Sequence, residues 1–188
     1  NAYTLEKIKD KLHMYPPFHN NKPWTVGESL FANHLEMATL AIGDEAFRGA
    51  KDAARGKAKF VRDMYEGYRY GGAAGFYPWD QLSRFEDGIK VFSALTAIPR
   101  KRTYRVYGGR KNELLYKIMN DTLKDKPVVF EWTYEAGGQT VAEGRKQMRI
   151  EPGHGEEFLV PIEAPETDVR LEGTLTVKVS QPDVDSTD

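Results

Sequence analysis

Apolar residues recur at spacings of three and four through the first half of the chain and alternate with polar ones through the second. Leu5, Ile8 and Leu12, behind Thr4 and ahead of Pro16-Pro17, predict an amphipathic helix over residues 4–14. The apolar run from Pro23 to Glu28 predicts a short buried strand that ends on a carboxylate. Ser29 to Gly49 has no clear period and reads as a long loop holding at most a helical turn, and loops of that length tend to be functional. Ala54, Ala58, Val61, Met64, Tyr65 and Tyr68 then share one face of a helix over 52–70, stopped by Gly71-Gly72. Ala73 to Asp80 reads as a second buried strand, which makes the first half an alternation of helix and strand of the parallel-sheet kind.

Past residue 100 the period falls to two. Seven short runs, 102–107, 113–119, 128–134, 140–143, 146–150, 157–162 and 174–179, are parted by Gly-rich and Asp-rich turns, as in a β-sandwich. Val128, Phe130, Trp132 and Tyr134 fall on one face of a single strand, with Val129, Glu131 and Thr133 on the other. The boundary between the halves is expected near Ile98 to Lys101, and residues from Gln181 onward read as an acidic tail.

Composition narrows the function classes. At 40% hydrophobic and 29% charged over 188 residues the chain has the balance of a folded globular protein rather than a disordered one. Lys and Arg total 27 against 28 Asp and Glu, so there is no basic footprint for nucleic acid or an anionic membrane. The absence of cysteine excludes disulfides and thiolate-held metals. No apolar run approaches the roughly 20 residues of a membrane span. The chain opens on Asn1 almost directly into a helical pattern, which suggests a processed chain or a piece of a longer one.

Candidate chemistry gathers at the two strand ends. His13, His19, His34 and His154 have no i,i+4 pair, so no metal site is expected, and neither Gly-Gly pair has nucleotide-binding spacing, so no cofactor is expected. Glu28 ends an apolar strand containing Trp24 and Val26, where a charge is costly unless partnered or put to work. Tyr77, Trp79 and Asp80 end the other strand, and an aromatic beside a carboxylate suits stacking and hydrogen bonding to a sugar ring. His34 and Glu36 lie in the long loop, where they line a cleft or, as the commoner case, are solvated polar loop residues; Asp44, Glu45 and Arg48 either reach the same cleft or pair with one another in solvent. Asn120-Asp121-Thr122 fits the glycosylation sequon.

On these residues the first half resembles the end of the (β/α)8 barrel of retaining glycoside hydrolases, the clan that includes β-galactosidases and β-glucuronidases. Lys22-Pro23-Trp24-Thr25-Val26-Gly27-Glu28 looks like barrel strand seven, which in that clan ends in the nucleophilic Glu, and Gly72 to Asp80 looks like strand eight, whose terminal Trp is a sugar platform. The second half is similar to the immunoglobulin-like modules that follow such barrels. The resemblance implies an α/β plus all-β chain, a C-terminal fragment of a (β/α)8 barrel over 1–98 followed by an immunoglobulin-like β-sandwich over 99–181, with a tail over 182–188. It implies Glu28 as the nucleophile, Trp79, Tyr77, Asp80, Trp24 and His34 as substrate contacts, and an acid/base carboxylate outside this chain. It implies a carbohydrate substrate, completion by an upstream segment, a second chain or self-association, and a periplasmic or extracellular setting. The alternatives are a non-catalytic structural or carbohydrate-binding surface module and an unrelated small protein that oligomerises to cover its sheet edges.

Overall fold

The structure, a computed structural model, describes residues 25–29, 34–78, 91–102 and 105–182, and at 26–29, 34 and 76–78 it describes the backbone alone. The helix expected over 4–14, Trp24, Trp79, Asp80 and residues 183–188 lie outside the described residues. The chain divides into two compact units, Asn1–Ser93 and Ala94–Asp188.

In the first unit, β1 (Thr25–Ser29) and β2 (Gly75–Pro78) pair in parallel. Parallel pairing requires a crossover, and the described part of the connection holds α1 (His34–Ile42), a 3-10 segment (Gly43–Arg48) and α2 (Ala50–Tyr70). In place of the expected long loop, Met37 and Ala38 are buried on α1, packed by a short apolar face that the run of mixed small residues hides. Gly56 allows the two helices to approach, since a Cβ there would lie 2.9 Å from the Cα of Ala38. Val61 and Tyr65 of α2 form a core with Met37 and Val91. The helix stops where the sequence puts Gly71-Gly72: Gly71 N–H donates to Gly67 O, Gly72 takes φ 87°, and Ala73 N–H donates to Tyr68 O.

The second unit is all-β. β3 (Leu95–Pro99), β4 (Lys111–Asn120) and β7 (His154–Glu163) form one antiparallel sheet in the order β3-β4-β7, and β5 (Val128–Ala136), β6 (Gln139–Met148) and β8 (Gly173–Ser180) form another in the order β6-β5-β8. The inward residues of both share one core, with Leu114, Tyr116 and Ile118 of β4 and Val160 and Ile162 of β7 against Val128, Phe130, Trp132 and Tyr134 of β5. Phe130 lies 5.7 Å from Trp132 and 5.8 Å from Phe158, centroid to centroid, in stacked and edge-on geometries that such rings favour.

The expected fold class is overturned. The described strands lie mostly in two three-stranded antiparallel sheets, and a single two-stranded parallel pair is not a (β/α)8-barrel fragment. A strand, helices and a parallel strand are a local unit that many architectures share, so the alternation in the sequence does not carry the closure of eight strands that defines a barrel. Among the described residues, six strands in a three-plus-three arrangement take the place of the seven runs expected to form an immunoglobulin-like sandwich. Residues 105–107 form no strand, whereas 95–98, assigned to the first half, form most of β3. The runs 140–143 and 146–150 join as β6, because Gly144 is not a break: it sits opposite Trp132, and a Cβ there would come within 2.1 Å of the indole. A glycine under a cross-strand aromatic ring makes room for the ring while the ladder continues.

Candidate functional site

β1 and β2 bring two of the sequence-predicted residues to one edge. In their register Glu28 lies opposite Tyr77 and Ser29 opposite Pro78, so the C-terminal ends of both strands meet at the same side. The register shifts between Val26 and Glu28, leaving Gly27 as an extra residue, and a bulge of that kind turns the strand and re-aims the residues beyond it. Trp79 and Asp80 come after β2 in sequence and Trp24 precedes β1, all three outside the described residues, and His34 is the first residue of α1.

Of the loop acids and bases, Glu45 and Arg48 pair beside α2. Glu45 accepts a 2.7 Å hydrogen bond from Arg55 of α2 and lies 4.0 Å from Arg48, all three solvent-accessible. The Arg55 hydrogen bond, then the Arg48 charge, holds the Glu45 carboxyl below its ordinary value. Of the buried polar groups on α2, Arg69 has a structural role. The Arg69 guanidinium, 6% exposed, donates to Val91 O and, at 3.0 Å, to Ser93 O, fastening the segment after the parallel strands to the helix. Among the described residues no group of three His, Asp or Glu is placed to hold a metal ion, and no helix is long and apolar enough to cross a membrane.

The second unit has a closed end and an open one. At the closed end Asn120, the sequon asparagine, is fully buried. Its Nδ2 donates to Ile150 O at 2.7 Å, and its Oδ1 accepts from the Thr122 hydroxyl at 2.6 Å and the Thr122 N–H at 3.2 Å. Gln181, beyond β8, joins this knot by donating to Lys126 O at 3.1 Å. An amide so engaged leaves no room for a glycan, so the three-residue match is a structural clip and not a modification site.

At the open end, where β4 and β8 begin and β5 and β7 finish, a cavity of about 830 Å³ lies between the sheets. Leu114, Tyr134 and Ile162 are its buried floor, and Arg102, Arg105 and Arg170 line it from irregular segments. Sequence reasoning misses this site because its arginines are scattered and acquire a common location only when the sheets stack; the basic cluster Arg100-Lys101-Arg102 is the one visible signal, and by sequence it marks a domain boundary.

No protein-family model matches the chain, and no curated protein matches it. Among solved structures, a protein from Archaeoglobus fulgidus is similar at 13% identity, covering 47% of this chain and 95% of that one, with a TM-score of 0.26. A likeness that slight carries neither fold nor function.

Proposed function

We propose that the chain supplies the nucleophile of a retaining glycoside hydrolase, with Glu28 attacking the anomeric carbon and the acid/base carboxylate standing outside these 188 residues. The observation that supports this reading is the register that pairs Glu28 with Tyr77 at the carboxyl ends of two parallel strands. Ligands of open parallel sheets bind beyond that edge, where connecting loops diverge. Glu28 forms a covalent bond to the sugar as the glycosidic C–O bond breaks, and the leaving oxygen takes its proton from the second carboxylic acid, roughly 5–5.5 Å away. Water, deprotonated by that second group, then releases the sugar and restores Glu28. Trp79 stacks on the sugar, with Tyr77, Asp80, Trp24 and His34 as its polar and aromatic neighbours, in a periplasmic or extracellular setting.

The test uses the protein that carries this chain. Glu28→Gln abolishes turnover of aryl glycosides while circular dichroism is unchanged, and azide restores glycosyl transfer to Glu28→Gly. Undiminished turnover in Glu28→Gln refutes the assignment. The open cavity of the second unit favours a second reading, a non-catalytic binding module, which gains if no aryl glycoside is turned over and a ligand still binds there.

A further inference from the structure

We propose that the open end of the second unit is a binding site for a small amphiphilic anion, a carboxylate carried on an aliphatic body. This goes beyond the Glu28 reading and shares no residue with it.

The volume, about 830 Å³, lies within the roughly 300–1,000 Å³ of small-molecule sites. Its lining is divided by chemistry. Leu114, Ile162 and Tyr134 are 8%, 1% and 8% exposed and form an apolar floor, with Val106 and Leu175 beside them. Among the described lining residues the exposed guanidinium groups of Arg105 and Arg170 stand against one carboxylate, Glu172, which leaves an excess of positive charge, and Arg102 lines the cavity beside them. Arg105 and Arg170 are exposed and make no ion pair with a described residue.

Guanidinium is also the cation best suited to a carboxylate, since its planar fork offers two parallel N–H donors. Leu171, next to Arg170 in sequence, is 44% exposed and also lines the cavity, so apolar surface accompanies the cations. An aliphatic acid satisfies both halves at once. A neutral sugar finds less there, because among the described lining residues the one aromatic ring, Tyr134, is buried over Gly173, whose Cβ position lies 2.6 Å from the Tyr134 hydroxyl.

The experiment titrates the whole chain with decanoate, decanol and acetate by calorimetry, with backbone amide shifts locating the site. Decanoate binds saturably, at least about tenfold more tightly than decanol, the factor expected when one charge-assisted hydrogen bond is lost, and at least about tenfold more tightly than acetate, which has no methylenes to bury at about 0.8 kcal/mol each. It shifts the amides of Val106, Leu171 and Leu175. The double variant Arg105→Ala/Arg170→Ala, altered only at exposed side chains, weakens decanoate by a similar factor and leaves decanol unchanged. Glu28→Gln binds decanoate as the parent does, so failure here and failure of the hydrolase reading are separate results. The proposal is overturned if decanoate does not saturate below about 1 mM, the weak end of specific affinity. Equal binding of decanol, or an unaffected double variant, overturns it as well.

Discussion

Replacing Asn120 with alanine removes a side chain that no solvent reaches and that holds three segments of the second unit together. The damage has two parts. The carbonyl of Ile150, a residue 3% exposed, loses the Nδ2 donor at 2.7 Å, and a buried acceptor left unmet costs about 1–3 kcal/mol. Thr122 loses the acceptor of its N–H, while its hydroxyl keeps Gln181 Oε1 as an acceptor at 3.1 Å, and the residue is half-buried, so water replaces part of what is lost and the cost is about 1 kcal/mol. The expected destabilisation is therefore about 2–4 kcal/mol, or a fall of about 1–2 M in urea midpoint for an m near 2 kcal/mol/M.

Trp132 is the tryptophan of the second unit, so its indole resonance in a urea titration reads that unit separately from the other. Asn120→Asp sharpens the test. It puts a carboxylate oxygen where Nδ2 met Ile150 O, and full burial with that carbonyl facing it raises the folded-state pKa of the acid against the two Thr122 donors that the other oxygen keeps. A raised folded pKa means stability present below the unfolded value of about 3.9 and lost as pH rises towards the folded value, so Asn120→Asp is less damaging at pH 4 than at pH 7. A loss below about 1 kcal/mol for Asn120→Ala, smaller than one unmet buried carbonyl, refutes the clip.

The second unit carries three further expectations. Gly144→Ala drives a Cβ into the Trp132 indole and costs about 1–3 kcal/mol of overpacking, and Trp132→Leu recovers part of that loss in the double variant; simple additivity in urea unfolding contradicts the paired arrangement. A fragment starting at residue 94 folds as an all-β unit by circular dichroism, while one starting at 100 is less stable by about 2–3 kcal/mol, because it lacks β3 and with it the fully buried Ile98; equal stabilities place the boundary where the sequence suggests. The exposed Asp125 carboxyl is held below its ordinary value by the hydrogen bond and charge of Arg149, so Arg149→Gln raises its titration midpoint in carboxyl NMR. A depressed folded pKa contributes stability above the unfolded value that is lost as pH falls through the folded one, so the variant's deficit shrinks at low pH.

Some of this molecule is local, and the sequence by itself determined it. The face of Val128, Phe130, Trp132 and Tyr134 points into the core as the alternation requires, since side chains of a strand have a period of two whatever the strand pairs with. The end of α2 at Gly71-Gly72 is likewise local, because a helix stops where positive φ is free of steric cost. Glu28 and Tyr77 are each readable as ends of apolar runs.

Other features depend on what lies across from a residue, and only the tertiary structure decided them. Gly144 looks like a turn until Trp132 is seen over it, Asn120 looks like a glycan acceptor until its amide is found bonded to Ile150 O, and Glu28 and Tyr77 meet only through strand register. The three arginines of the open end come from separate segments and share a cavity once two sheets have stacked. Sheet closure is of the same kind: a strand, helices and a parallel strand state how neighbours pair, and the number of strands that join them is set by contacts far apart in the chain.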